Sequence, residues 1–117
     1  MVTQKRRNTM KVISSQMFRD WEKVAQYEEE LLENVNQEIT LPVIETGLKN
    51  EDGEDLYILI NGHHRLQAVK ELSYEDIDIK VNFEVVENES GLTGEDALKE
   101  WHIDSDWYYV DTEEFVW

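Results

Sequence analysis

Residues 57–72 read YILINGHHRLQAVKEL, and this stretch is the part of the sequence on which the expected fold depends most. It opens as a near-continuous apolar run over 56–60, which is typical of an interior strand. The run stops at Asn61 and Gly62, a pair of residues typical of tight turns. Apolar residues then recur at helical spacing. The stretch therefore predicts a strand, a glycine turn and a helix over 64–72.

The turn between these two elements has the chemistry of an anion site. Backbone N–H groups are free at a helix N-terminus, and the helix dipole favours negative charge there. Gly62 permits a positive φ angle and a close approach of a ligand to the backbone. Arg65 can bind phosphate oxygens in a bidentate manner, while His63 and His64 can donate hydrogen bonds or transfer a proton. Together with Asn61 they form a candidate phosphate site, and the alternative is a plain turn with surface histidines.

Two elements are predicted before this stretch. Apolar residues at helical spacing over 14–33 predict a first helix, capped by Ser14 or Ser15. The sequence EITLPVIETGL, residues 38–48, has alternating apolar residues and predicts a short strand. Because proline cannot donate a ladder hydrogen bond, Pro42 is expected at a sheet edge or at the first residue of the strand.

Further elements are predicted around and after it. Residues 49–55, rich in Asn, Asp and Gly, predict a turn between the two strands. Alternating apolar residues over 77–85 predict a third strand with its apolar side chains on one face. Thr93 is expected to cap another helix, and residues 107–110 have a composition typical of β structure.

This order of elements predicts an α+β fold, with a mixed sheet flanked by helices. A length of 117 residues suits one domain. Residues 1–12 are predicted to be a basic flexible arm, since they carry four of the basic residues. Residues 13–117 are predicted to be a single domain that ends in an acidic, aromatic C-terminal extension, of which Trp117 is the best candidate for an exposed contact.

Composition excludes several functional classes. The chain has no cysteine, which excludes disulfides, thiolate zinc sites and cysteine nucleophiles and is consistent with a cytoplasmic location. With 27 acidic and 11 basic residues the net charge is −16, so direct nucleic-acid binding is disfavoured and a basic protein partner is the alternative. There is no apolar run of about 18 residues and no apolar stretch after the N-terminal basic residues, so neither a membrane partner nor a secretory signal is expected.

A metal site is weighed at His102, Asp104 and Asp106. In an extended segment these three side chains would lie on one face. An acidic loop after a helix is the simpler interpretation, and no metal site is predicted there.

The middle of the chain, residues 39–85, resembles the ParB/sulfiredoxin-like superfamily. The matching pieces are LPVIE, NEDGED, YILI, NGHHR, LQAVKEL and IDIKVNFEVV, in the order of the family's elements. The resemblance implies the family's fold, a phage or bacterial source, and binding of a nucleotide, ATP or CTP with Mg²⁺, whose phosphates contact Gly62, His64 and Arg65. His63 stands where sulfiredoxins have their catalytic cysteine, so sulfinic acid repair is excluded.

A kinase or NTPase in addition needs a carboxylate that holds Mg²⁺ or accepts a proton. Glu38 and Glu45, which flank the proline strand, are candidates, and His63 is a third catalytic candidate. Whether the phosphate is hydrolysed or transferred stays open. Two alternatives stay open as well: a non-enzymatic acidic interaction protein, such as a DNA mimic or phage-type inhibitor on the same fold, and, ranked last, a ParB-like nuclease.

Overall fold

Three helices and five strands make up the part of the chain that the computed structural model describes, residues 10–33 and 38–117. In chain order they are β1 (Met10–Ser14), α1 (Trp21–Glu33), β2 (Glu38–Lys49), β3 (Asp55–Leu59), α2 (His63–Ser73), β4 (Lys80–Val85), α3 (Gly94–Glu100) and β5 (Tyr108–Tyr109). The predicted α+β class is confirmed.

The five strands form one mixed sheet in the order β4-β2-β3-β1-β5. β3 pairs antiparallel with β2 and parallel with β1, so the apolar run before the turn is an interior strand, as predicted. β4 pairs parallel with β2 at one edge, and the short β5 pairs antiparallel with β1 at the other.

Both faces of the sheet are covered. On one face α1 and α2 pack against each other and against the sheet, and Val24, Leu31, Leu66 and Leu72 are buried there with Leu41 and Val43. On the other face a smaller cluster of Ile13, Ile44, Leu56 and Ile58 is covered by side chains of α3 and the C-terminal segment, among them Leu98, Trp101 and Trp107. The predicted sheet flanked by helices is therefore present.

The start of the chain differs from the prediction. Residues 10–14 form β1, so Ser14 lies in a strand rather than at a helix cap, and the predicted arm over 1–12 is wrong for its last three residues. Residues 1–9 lie outside the described part. Helix α1 begins only at Trp21, where Asp20 Oδ1 accepts a hydrogen bond from the Glu22 N–H at 3.1 Å. Asp20 thus acts as the cap that was expected at Ser14 or Ser15.

Pro42 is neither at a sheet edge nor at the first residue of a strand, because β2 is paired on both sides. The Pro42 carbonyl accepts a hydrogen bond from the Ile60 N–H at 3.3 Å, and Ile60 lies just beyond the end of β3. In a strand the N and C=O of one residue point to the same neighbour. Proline therefore removes only the bond that residue 42 would donate to the Ile60 carbonyl, just past the end of β3.

The remaining elements follow the prediction with shifted bounds. Turn residues 50–54 join β2 to β3, and α2 begins one residue earlier than expected. The apolar residues leading into and along β4 pack on the larger core, except Val85, which is exposed.

In the C-terminal segment Tyr108 and Val110 are buried, whereas Phe115 and Trp117 are exposed, as expected for Trp117. Among the described residues no helix is both long and apolar enough to cross a bilayer.

Candidate functional site

The N-terminus of α2 is open. Gly62 is its N-cap, with φ 91° and ψ 18°, and no side chain caps the helix. The Gly62 carbonyl accepts the first helical hydrogen bond, from the Leu66 N–H at 2.8 Å. Within the described ranges, the backbone N–H groups of His63, His64 and Arg65 have no protein acceptor. Three amide donors are thus available to a ligand at the positive end of an 11-residue helix.

Glycine is required at position 62 for two reasons. Its φ angle lies in the left-handed region, which side chains rarely adopt. In addition, a Cβ atom at this position would lie 2.5 Å from Leu41 Cδ2, inside the core beneath the turn. The exposed Asn61 side chain supports the turn, since its Oδ1 accepts a hydrogen bond from the Gly62 N–H at 2.7 Å.

His63 points into the protein. It is buried, and its Nε2 lies 2.6 Å from Ser14 Oγ at the end of β1. Burial, followed by the positive charge of Arg19, lowers the pKa of His63 to about 4. The Asp104 carboxylate acts in the opposite direction. His63 is therefore neutral at physiological pH, and its Nε2 is bonded within the protein, so only its backbone N–H and the remaining ring edge face the turn.

His64 is also held by the protein. Its Nε2 accepts a hydrogen bond from the Asp20 backbone N–H at 2.9 Å. Because an imidazole nitrogen accepts only when it carries no proton, His64 is the tautomer protonated at Nδ1. Burial, followed by the charges of Arg19 and Lys23, lowers the pKa of His64. Both histidines are thus expected to be neutral, and positive charge near the turn comes from the helix dipole and from the side chains of Arg19, Lys23 and Arg65.

The Arg65 guanidinium lies over the ring of Tyr27, with Cζ 5.2 Å from the ring centroid. This cation–π contact fixes the arginine against α1. In the described part of the chain Arg65 has no ion pair and donates no side-chain hydrogen bond, although the protein carries 27 acidic residues. Its five donors are available to an anion.

Two clefts meet at Tyr27. The first, of about 240 Å³, has Gln16, Tyr27, Ile60, Asn61, Gly62, His63 and His64 among its lining residues. The second, of about 310 Å³, has Tyr27, Glu30, Leu31, Glu38, Ile39, Thr40 and Arg65. We call them the turn cleft and the carboxylate cleft. The predicted site residues 61–64 line the turn cleft, and Arg65 lines its neighbour.

The two candidate catalytic carboxylates are separated by the fold. Glu38 lies in the carboxylate cleft with Arg65, and its Oε2 accepts a hydrogen bond from Asn82 Nδ2 at 2.9 Å. Glu45 lies further along β2, is paired with Tyr57 of β3 and lines neither cleft. Its charge is one of the causes that raise the pKa of Tyr57, after burial. Glu45 is therefore not part of the site.

Sequence reasoning missed four residues that build the site. Ser14 and Asp20 hold the two histidines, Tyr27 joins the two clefts, and Arg19 supplies the charge that lowers both histidine pKa values. Arg19 is itself fixed by the carbonyls of Gln16 and Phe18 and by the Tyr108 hydroxyl. The periodicity that predicted a helix from residue 14 hid the roles of Ser14, Arg19 and Asp20, because it made residues 14–20 helical.

One of the three residues weighed as a metal site has another role. Asp104 accepts hydrogen bonds from the Met17 and Phe18 N–H groups, at 2.8 and 3.4 Å, and so fixes the loop between β1 and α1. In the described ranges there is no group of three His, Cys, Asp or Glu side chains placed to hold a metal ion.

Comparisons with protein-family models, with curated proteins and with solved structures found no match to the chain. The resemblance of residues 39–85 to ParB/sulfiredoxin-like proteins therefore stays a prediction from the motif.

Proposed function

We propose that the protein binds a nucleoside triphosphate, ATP or CTP with Mg²⁺, whose phosphates lie at the start of α2. The observation that carries this proposal is the row of three amides, of His63, His64 and Arg65, that have no acceptor among the described residues. A helix N-terminus of this kind binds phosphate through both its N–H groups and its dipole. The Nδ1–H of His64 and the Arg65 guanidinium add donors beside it.

The proposal covers binding first. Mg²⁺ usually keeps several waters and is held by substrate phosphates with one or two carboxylates. No carboxylate is among the described residues of the turn cleft, and Glu38 lies in the neighbouring one. Hydrolysis or transfer of the phosphate is therefore a separate step of the proposal, checked by release of the nucleoside diphosphate. A cytoplasmic location belongs to the same proposal, since the chain has no cysteine.

A thermal-shift experiment tests the proposal. Wild type is heated with ATP, CTP, GTP, UTP and ADP, with and without Mg²⁺. A ligand at 100 times its Kd stabilises the native state by about 2.7 kcal/mol. The stabilisation is expected to vanish in Arg65→Ala and to persist in Lys80→Ala, which removes an equal charge from an exposed site on β4. Absence of a shift with all five nucleotides would contradict the proposal.

A second candidate function is that of an acidic interaction protein. It is favoured by a cluster of glutamates on the face of the domain that α1 and α2 form. Glu28 on α1 has its pKa raised by burial and by the neighbouring charges of Glu71 on α2 and Glu75 just after it. Repulsion of this kind is relieved when a basic partner binds. This function predicts that a lysine-rich peptide binds at low salt and is released at high salt, with weaker binding after Glu71→Gln and Glu75→Gln. Binding that is unchanged by salt or by these substitutions would contradict it.

A further inference from the structure

The carboxylate cleft has the chemistry to bind the part of the ligand that is joined to the phosphates. It shares the lining residue Tyr27 with the turn cleft, so the two clefts, of about 310 and 240 Å³, are neighbours, and we call the pair the groove. The groove has amide, imidazole and guanidinium donors near the α2 N-terminus. Beyond Arg65, the charged side chains among its described lining residues are the carboxylates of Glu30 and Glu38.

We infer that Glu30 and Glu38 accept hydrogen bonds from the ribose hydroxyls of the nucleotide, and that the groove therefore selects ribonucleotides over deoxyribonucleotides. This inference rests on the proposed function. A carboxylate only accepts hydrogen bonds, so a ligand that reaches this cleft must present donors. Ribose is the group attached directly to the phosphates, and its 2′ and 3′ hydroxyls lie on the side of the ring away from them. Acidic side chains bind ribose hydroxyls in this way at other nucleotide sites.

The apolar floor of the cleft and the fixed carboxylate of Glu38 suit this ligand. Leu31 and Ile39, which are 4% and 7% exposed, supply an apolar surface for the carbon face of a sugar ring. Asn82 on β4 donates to one oxygen of Glu38, at 2.9 Å. It acts as a positioning residue, because it fixes the carboxylate, and the other oxygen has no donor among the described residues and can accept from a ligand.

The repulsion between these carboxylates and a triphosphate is the main argument against the inference. Arg65 lies in the same cleft and is fixed on Tyr27. Its backbone N–H is one of the three amides of the proposed phosphate site, so its positive charge is close to both the phosphates and the acids and offsets part of this repulsion. Since hydrogen bonds to charged groups are stronger than neutral ones, two hydroxyls on two carboxylates are worth more than a nonspecific contact.

Isothermal titration calorimetry with matched ligands tests the inference. The full chain is titrated with ATP, 2′-deoxyATP, 2′,3′-dideoxyATP and inorganic tripolyphosphate, each with Mg²⁺. We expect ATP to bind about tenfold or more tightly than dideoxyATP, with deoxyATP between them. Glu30→Gln and Glu38→Gln should each reduce that ratio and leave tripolyphosphate binding at least as tight. Glu29→Gln, an exposed change on the same helix that lines neither cleft, should leave the ratio unchanged.

Each contrary outcome has a distinct meaning. If wild type binds ATP, 2′-deoxyATP, 2′,3′-dideoxyATP and tripolyphosphate with the same affinity, the ribose inference is wrong and the phosphate site stands. If ATP is preferred but Glu30→Gln and Glu38→Gln keep the full ratio, other groups read the ribose and the inference is again wrong. If no triphosphate binds, the proposed function fails and the inference fails with it.

Discussion

The Oγ atom of Ser14 lies 2.6 Å from Nε2 of His63, although the two residues are 49 positions apart in the chain. Ser14 is the last residue of β1 and His63 the first of α2, and they are 1% and 6% exposed. The bond fixes the start of α2 to the sheet. The position of the candidate phosphate site therefore depends on a strand near the beginning of the chain.

Ser14→Ala is expected to lower the free energy of unfolding by about 1–3 kcal/mol. The substitution leaves Nε2 of the buried His63 without a partner, and it also removes the acceptor of the Gln16 N–H, which is 3.0 Å from Ser14 Oγ. Urea unfolding followed by tryptophan fluorescence measures the change. Ser73→Ala, at an exposed position on α2, is the control and should change stability by less than about 0.5 kcal/mol. Equal effects of the two substitutions would show that the Ser14 bond adds nothing.

His63 is expected to titrate at about pH 4 in the folded protein, against 6.5 for an unperturbed histidine. Between these values the unfolded chain binds the proton and the folded one does not, so stability falls as the pH drops from 6.5 to 4. The loss amounts to about 3 kcal/mol at about 1.4 kcal/mol per pH unit. Above pH 6.5 His63 is neutral in both states and contributes no pH dependence.

Two measurements check this pH dependence. NMR titration of the His63 ring protons gives its pKa directly, and unfolding at several pH values compares wild type with His63→Gln. The difference between the two proteins should change between pH 6.5 and 4, whereas His102→Gln, an exposed change, should follow wild type. A titration of His63 near 6.5 would mean that the ring is solvated and not buried against Ser14.

Gly62→Ala is expected to destabilise the protein by at least about 2 kcal/mol. The new Cβ adds the cost of a left-handed backbone and a contact at 2.5 Å with Leu41 Cδ2. Gly53→Ala is the matched control, since Gly53 also has a positive φ, of 79°, but nothing lies within 4 Å of its Cβ position. It should cost only the backbone term, about 1–2 kcal/mol. If thermal unfolding ranks Gly53→Ala as the more damaging change, the close packing beneath the turn is incorrect.

Asp104→Asn is expected to lower stability by about 1 kcal/mol, because one of the two oxygens that accept the Met17 and Phe18 N–H groups is lost together with the charge. The loop between β1 and α1 should loosen, and the hydrogen-exchange rates of these two amides should rise. Asp106→Asn, an exposed change two residues away, removes the same charge without this contact. Unchanged exchange at Met17 and Phe18 would contradict the role assigned to Asp104.

The central part of the fold could be predicted because its signals are local. Residues 56–72 contain an apolar strand, a glycine turn and a helical repeat in immediate succession, and each boundary is marked by a residue with a specific conformational preference. The structure differs there by single residues, since β3 is Asp55–Leu59 rather than 56–60 and α2 is His63–Ser73 rather than 64–72. The candidate site was predicted within the same residues, and the amides of His63, His64 and Arg65 have no acceptor in the described part of the chain.

The beginning of the chain could not be predicted because distant residues determine it. Met17, Phe18 and Trp21 have helical spacing, yet the first two are held in a loop by Asp104, 87 and 86 positions later. β1 is only five residues long and contains a lysine, so its strand signal is weak without its partners β3 and β5. Tertiary contacts outweigh local propensity in this segment. The inward orientation of His63 depends on the same strand and could not be seen from the motif.

The central claim, that phosphate binds at the start of α2, is tested most directly by an NMR titration of the ¹⁵N-labelled protein with inorganic tripolyphosphate and then ATP, each with Mg²⁺. We expect the backbone amides of His63, His64 and Arg65 to shift first and saturably with both ligands, and Arg65→Ala to weaken the response. Saturable shifts confined to other parts of the chain, or none at these three amides, would contradict it.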